Sequence, residues 1–248
     1  MQHYKALIAA LLLGPGVFPS SGAAFSCPDL ALVLAIDSSG SINDQDFSLQ
    51  QAGYAAAFAD PKVQAALASA GTVDVAVVLW GDEEMAPQVL PWRRLENAGE
   101  ATAFAGEIAL MPRRVTGDTG IGAGLWTALD LLETRACAAR RIINVSGDGK
   151  ESYAPRPRRH VPLASARARA EAMSVTINGL AITVQGRGLA DWYRERVITG
   201  PDAFVMTAGS FDDFGAAIIR KLAREIALPM MAEAGTGEQV RTNQGIWP

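Results

Sequence analysis

The feature that most constrains the fold is a run of seven aliphatic residues, 30–36, which ends abruptly at Asp37. A near-continuous apolar run of this length is typical of a strand buried on both faces at the centre of a parallel sheet. Ser39 and Ser41 follow at alternate positions, so three oxygen-bearing side chains lie where the chain leaves the sheet. Open α/β sheets bind their ligands at this carboxyl edge. A carboxylate and two hydroxyls are hard oxygen donors, which suit Mg²⁺ or Mn²⁺.

Strands and helices are predicted to alternate along the rest of the chain. Pro91 restricts the third strand to an edge, and the turn before it, residues 81–84, predicts an antiparallel hairpin. The fifth strand is predicted to break at Asn178-Gly179. The predicted strands cover residues 30–36, 73–80, 88–95, 141–145, 176–184 and 203–207, and the predicted helices cover 47–58, 62–70, 97–110, 121–134, 162–173, 189–197 and 211–227.

This alternation predicts one α/β domain with a doubly wound, mostly parallel, six-stranded sheet. The expected strand order is 3-2-1-4-5-6, with strand 3 antiparallel at the edge and helices on both faces. The last helix carries apolar residues at helical spacing, which indicates core packing.

The sequence Asp37-x-Ser39-x-Ser41 resembles the first part of the metal-ion-dependent adhesion site of von Willebrand factor A-type domains. That pattern also requires a threonine from a second loop and an aspartate from a third, and Thr119 and Asp148 match these positions in the right order. The resemblance covers residues 28–228 and is strongest to an uncharacterised branch of exported bacterial proteins. It implies a divalent cation, Mg²⁺ or Mn²⁺, held by these five residues.

The resemblance further implies a protein-binding module without enzymatic activity, in which an Asp or Glu of a partner protein completes the coordination of the cation. In related domains the last helix moves with the state of the metal site, which makes such a switch a hypothesis here. Two alternatives stay open. The first-loop residues are suited to capping the following helix, and a metal-dependent hydrolase would use the same five residues.

Basic residues on loops at the same edge are expected to steer an acidic partner toward the site. The alternative is that they only solvate long loops. Arg113 and Arg114 are further candidates for this rim. The rim residues are Lys150, Arg156, Arg158 and Arg159.

Other enzyme classes fit the sequence poorly. A phosphatase that uses Asp37 as its nucleophile would need a second aspartate two residues later, and Ser39 occupies that position. A serine hydrolase would need a base and a Gly-x-Ser-x-Gly turn, which the chain lacks. Outside the amino-terminal segment the only histidine is His160, which we expect to be a solvated loop residue.

The two cysteines, Cys27 and Cys137, each precede a predicted strand. These strands are the first and fourth, which are neighbours in the expected sheet order. We therefore predict a Cys27–Cys137 disulfide at the edge opposite the metal site. Two unpaired thiols remain the alternative, because spacing alone does not fix their distance.

Residues 1–24 have the layout of a secretory signal peptide, with an apolar run too short to span a membrane. We expect residues 25–228 to form the von Willebrand A-like domain and residues 229–248 to form a disordered tail. The expected location is the periplasm or the exterior, with no transmembrane segment in the mature chain. Asp and Glu outnumber Lys and Arg by 26 to 22, which argues against nucleic acid as a partner.

Overall fold

The computed structural model of the protein describes residues 26–153, 155, 160–186 and 188–227. Within this part of the chain one six-stranded sheet has the order β3-β2-β1-β4-β5-β6. Every neighbouring pair is parallel except β2 and β3. The predicted order and the antiparallel edge strand are therefore confirmed. The strands are β1 Leu30–Asp37, β2 Val73–Trp80, β3 Gln88–Leu95, β4 Arg140–Gly147, β5 Thr176–Ile182 and β6 Val205–Ala208.

Helices cover both faces of the sheet, so two separate hydrophobic cores form. One core lies between the sheet and α1, α2, α3 and α7, where Phe58 and Phe104 meet edge to face. The other lies between the sheet and α4, α5 and α6. β1 is buried along its whole length because both cores contact it. The helices are α1 Asp44–Ala59, α2 Pro61–Ala70, α3 Ala98–Ala109, α4 Ile121–Glu133, α5 Leu163–Ala172, α6 Leu189–Arg196 and α7 Phe214–Ala227.

The predicted break in the fifth strand and two predicted helix starts are wrong. β5 runs without a break through Asn178 and Gly179 and pairs with β4 at both residues, because Gly179 serves close packing rather than a turn. α1 starts three residues earlier than predicted, since Asn43 accepts a hydrogen bond from the Asp46 N–H and caps the helix. α7 starts at Phe214 instead of residue 211.

The predicted disulfide between Cys27 and Cys137 is confirmed, with the two Cα atoms 5.5 Å apart. It joins the chain just before β1 to the turn just before β4. Backbone hydrogen bonds from Ala139 to Pro28 and from Arg140 to Asp29 continue this connection into the sheet. The bridge therefore closes the edge of the sheet opposite the carboxyl ends of the strands.

Residues 1–25 and 228–248 lie outside the described residues, so the signal peptide and the disordered tail stay predictions, as do the domain limits at residues 25 and 228. Among the helices that the structure describes, none combines the length and the apolar character that crossing a bilayer requires.

Candidate metal centre

The first loop of the site leaves the sheet at Asp37, the last residue of β1. Its carboxylate turns back onto the loop, and Asp37 Oδ1 accepts a hydrogen bond of 2.8 Å from the Ser39 N–H. The hydroxyls of Ser39 and Ser41 lie 3.2 Å apart. All three side chains therefore point into one small space above the end of β1.

The third loop reaches this space because β1 and β4 are adjacent and in register, with Ile36 opposite Ser146. Asp148 follows β4 directly, and the Ser41 hydroxyl donates a hydrogen bond of 2.6 Å to Asp148 Oδ1. From the second loop, Thr119 Oγ1 lies 3.5 Å from Ser39 Oγ. The structure thus brings together all five side chains that the sequence singles out.

The two carboxylates are buried close to each other, which is unfavourable without a compensating positive charge. Burial raises the pKa of Asp37 to about 7, and the charge of Asp148 adds to the shift. Hydrogen bonds from Ser39 and from the backbone N–H of Asp148 oppose it. Asp37 Oδ2 is buried and has no hydrogen-bond partner among the described residues. A buried oxygen of this kind usually has an explanation, such as an ion or an ordered water.

The donor set fits a hard divalent cation. Two carboxylates and three hydroxyls supply only oxygen, as Mg²⁺ and Mn²⁺ prefer. Asp37, Ser39, Thr119 and Asp148 are buried, whereas Ser41 is exposed, so the cluster opens to solvent on one side. Within the described residues no group of three or more His, Cys, Asp or Glu side chains could hold a metal ion, so the candidate centre depends on hydroxyl ligands.

Arg113 holds the first loop in place, a role that the sequence did not indicate. Its guanidinium donates to the carbonyl oxygens of Ser38, Ser39 and Ile42 and pairs with Asp44. The assignment of Arg113 to the cationic rim is therefore wrong, because its side chain is only 14% exposed and its donors bind the backbone. No local sequence pattern indicates this role, because Arg113 is about 70 residues from its partners in the chain.

The second and third loops are joined by Ser152, another residue that the sequence analysis missed. Its hydroxyl accepts a hydrogen bond of 3.0 Å from the Thr119 N–H, and its own N–H donates to the Thr119 carbonyl oxygen at 3.1 Å. Glu151 accepts a hydrogen bond from the Gly122 N–H in the first turn of α4. These contacts fix Thr119 relative to the loop that carries Asp148.

The structure describes only part of the expected rim. Lys150 is exposed and lines a cleft of about 310 Å³ together with Asp148, Gly149 and Leu189. Arg156, Arg158 and Arg159 lie outside the described residues, so their place in the rim stays a prediction.

His160 is an exposed loop residue, as the sequence predicts, but its imidazole also has a partner that the sequence did not indicate. Its Nδ1 lies 3.0 Å from both carboxylate oxygens of Glu83, and its ring contacts that of Tyr153. Glu83 is buried. His160 is therefore anchored by a carboxylate, which sets the orientation of its imidazole.

We expect the metal-free protein to lose stability as the pH rises, because of Asp37. Its folded pKa of about 7 exceeds the ordinary value of 3.8. Between these values the folded protein holds a proton that the unfolded chain has released, so the free energy of unfolding falls with increasing pH and levels off above about pH 8. Urea unfolding in EDTA at pH 5 and pH 8 should show a larger loss for the parent than for Asp37→Asn. If the stability of the parent and of Asp37→Asn fell equally between the two pH values, Asp37 would not be the group responsible.

A protein-family model described as "Protein of unknown function (DUF1194)" matches residues 26–230. A search of curated protein sequences gives no match. Among solved structures, the vWF domain of the type V pili tip protein Mfa5 from Porphyromonas gingivalis is similar, with 14% identity and a TM-score of 0.58. That match covers 86% of this chain and 99% of the domain.

Two further solved structures resemble the chain over part of their own length. The pilus adhesin SpaC from Lactobacillus rhamnosus GG is 16% identical with a TM-score of 0.57, and the match covers 81% of this chain and 30% of SpaC. Proximal thread matrix protein 1 from the mussel byssus, with a zinc-occupied MIDAS motif, is 16% identical with a TM-score of 0.56. Here the match covers 82% of this chain and 47% of the byssus protein. At these identities the likeness shows a shared fold.

Proposed function

The chain belongs to the DUF1194 family and has the fold of a von Willebrand factor A-type domain, and on this basis we propose that it is an exported, metal-dependent protein-binding module. The observation that carries the proposal is the convergence of side chains from three loops on one partly open oxygen cluster. Capping of α1 explains neither Thr119 nor Asp148, and Asn43 already caps that helix. The proposed ligands of the cation are Asp37, Ser39, Ser41, Thr119 and Asp148.

The cation in this proposal is Mg²⁺ or Mn²⁺, which both accept an all-oxygen site. When bound, it would offset the charge of the two carboxylates and attract an external carboxylate. The three hydroxyls would bind it without adding charge, so the centre would be close to neutral, and an external carboxylate would bind at a coordination position that the five residues do not fill. A zinc-occupied MIDAS motif in the byssus protein makes Zn²⁺ a further ion to test.

The partner in this proposal is a protein that presents an Asp or Glu side chain. The cleft lined by Asp148 is where we place such a side chain. Lys150 stands on the wall of this cleft and would attract the incoming carboxylate. Binding of this kind forms a metal-bridged contact and breaks no covalent bond. It fits an adhesive or scaffolding role in the periplasm or outside the cell.

A metal-dependent hydrolase using the same centre is the second candidate. The observation in its favour is the pairing of His160 with Glu83, because a carboxylate that orients an imidazole is a common arrangement for a general base. Glu83 packs against Gly120, next to Thr119 in the chain. The rate of product release distinguishes the two functions. Only a hydrolase would release product at a rate that depends on both the metal and His160.

The proposal is tested by calorimetric titration of the protein with Mg²⁺, Mn²⁺ and Zn²⁺. We expect binding by the parent, loss of detectable binding in Asp37→Ala and Thr119→Ala, and retained binding in the matched control Thr102→Ala. Thr102 is exposed on α3, and its hydroxyl bonds only to its own helix.

Two outcomes would separate the parts of the proposal. If none of the three ions binds the parent, with or without added acetate as a carboxylate ligand, the proposed metal centre is refuted. If metal binds and Lys150→Glu leaves the metal-dependent retention of an acidic partner unchanged, the steering role of Lys150 is refuted while the centre stands.

A further inference from the structure

Tyr193, on α6, lies beneath the candidate metal centre and is completely buried. Its hydroxyl has no hydrogen-bond partner among the described residues, and the same is true of Asp37 Oδ2. Both oxygens lie 2.7 Å from the point that a Cβ atom on Gly147 would occupy. They are therefore no farther apart than twice that distance, and they face the same point. A buried donor and a buried acceptor are thus near each other without forming a direct hydrogen bond, which is the spacing that a bridging water fits.

Two glycines on adjacent strands make room for the Tyr193 side chain. Gly147 ends β4, and Gly179 lies in β5, where a Cβ atom would come within 2.9 Å of Tyr193 Cδ1. In the pairing of β4 with β5, Gly147 lies opposite Ala181, which is two residues after Gly179. The ring lies over the part of the sheet that lacks side chains, and this packing directs the hydroxyl from α6 toward the end of β1.

The chemistry of the pair favours a hydrogen-bonded link from the phenol to the carboxylate. A tyrosine hydroxyl ordinarily titrates well above neutral pH. The phenol of Tyr193 therefore has a proton to donate, and Asp37 Oδ2 is an acceptor near it. A buried O–H and a buried carboxylate oxygen that remained unpaired would each cost about 1–3 kcal/mol or more.

We propose that Tyr193 is a positioning residue of the metal centre, whose hydroxyl donates a hydrogen bond to one bridging water that in turn donates to Asp37 Oδ2, and so fixes the orientation of this carboxylate. The inference rests on the proposed function for its purpose, although the contact itself does not require a metal. Ligands of metal ions are commonly held by such outer partners, and removal of a partner lowers metal affinity by roughly 10- to 100-fold.

The first test compares Tyr193→Phe with Tyr54→Phe, since each variant removes one buried phenolic hydroxyl. Tyr54 bonds to Asn144 and Ser146 and not to Asp37. By calorimetry, Tyr193→Phe should bind Mg²⁺ or Mn²⁺ roughly 10- to 100-fold more weakly than the parent, and Tyr54→Phe should bind with the affinity of the parent. Equal affinities for Tyr193→Phe and the parent would overturn the proposal.

A second test requires no metal and so separates this proposal from the proposed function. In metal-free protein that carries ζ-¹³C tyrosine, Asp37→Asn should shift the NMR signal of Tyr193 and leave that of Tyr54 in place. The two Phe variants assign the signals. An unmoved Tyr193 signal would overturn the proposal whether or not the parent binds metal. If the parent binds no metal and the signal does shift, the proposed function fails and the contact between Tyr193 and Asp37 stands.

Discussion

Replacing Lys221 with methionine is expected to lower the free energy of unfolding by about 3–5 kcal/mol, since it leaves a buried carboxylate without its counter-ion. Lys221 and Glu225 are both completely buried on α7, and Lys221 Nζ lies 2.6 Å from Glu225 Oε1. The amide of Asn144 donates a hydrogen bond of 2.6 Å to the other carboxylate oxygen. Chemical unfolding of Lys221→Met beside the parent at pH 7 measures the effect.

The pH dependence of this loss identifies its cause. Burial lowers the pKa of Lys221 to about 8 and raises that of Glu225, while the charge of each partner opposes the shift of the other. Without Lys221 the pKa of Glu225 rises further, so the folded variant holds a proton that its unfolded chain releases above the ordinary value of 4.5. The deficit should therefore be larger at pH 8 than at pH 5.

Two controls test whether the pair itself is responsible. Lys62→Met removes an exposed lysine on α2 and should change stability by less than about 0.5 kcal/mol. In the double variant Lys221→Met/Glu225→Gln no buried charge remains, so most of the lost stability should return. A deficit below about 1 kcal/mol in Lys221→Met, or no recovery in the double variant, would show that the ion pair is not what stabilises α7 here.

The buried pair also bears on the hypothesis that the last helix switches. Glu225 bonds to Asn144 of β4, and Tyr54 connects Asn144 with Ser146, two residues before Asp148. A shift of α7 along the sheet would separate Glu225 from Asn144 and leave buried polar groups unpaired, which is costly. Movement of α7 with the state of the metal site stays a hypothesis. Its free-energy cost would include breaking these hydrogen bonds.

Much of the fold could be predicted because its signals are local. The apolar run before Asp37 and the similar run that forms β2 each predict a buried strand, and both boundaries agree with the structure to within one residue. Pro91 correctly marks β3 as an edge strand. The five candidate site residues were identified through the resemblance to a known metal-site pattern, and the fold brings their side chains together at one edge.

The roles of Arg113 and Tyr193 could not be predicted from the sequence, because they depend on contacts between residues far apart in the chain. Arg113 and Tyr193 contact the site from loops and helices far along the chain, and their own neighbours in sequence give no indication of it. Lys221 and Glu225 are different, because a local signal exists: they lie three and seven residues after the buried Ile218, on the apolar face of α7. A lysine and a glutamate at these positions indicate a buried ion pair. The spacing of the apolar residues alone predicted only that this face packs in the core.

Removal of the Cys27–Cys137 bridge, as Cys27→Ala/Cys137→Ala, is expected to lower the free energy of unfolding by about 3–5 kcal/mol. The two cysteines are 110 residues apart, so the crosslink strongly limits the conformations of the unfolded chain. The folded protein should change little, because the backbone hydrogen bonds of Ala139 and Arg140 hold the same edge together. Urea unfolding of the metal-free double variant beside the parent measures the loss.

The unfolding curve also shows which state the disulfide acts on. An unfolded chain without the crosslink is more expanded and exposes more surface, so the slope of stability against urea should increase in the double variant. A reducing agent should reproduce both effects in the parent and neither in the variant. If the free energy of unfolding falls by less than about 1 kcal/mol and the urea slope is unchanged, the bridge does not act by limiting the conformations of the unfolded chain. A full effect would mean that the domain reaches its stability only where disulfides form, which accords with an exported protein.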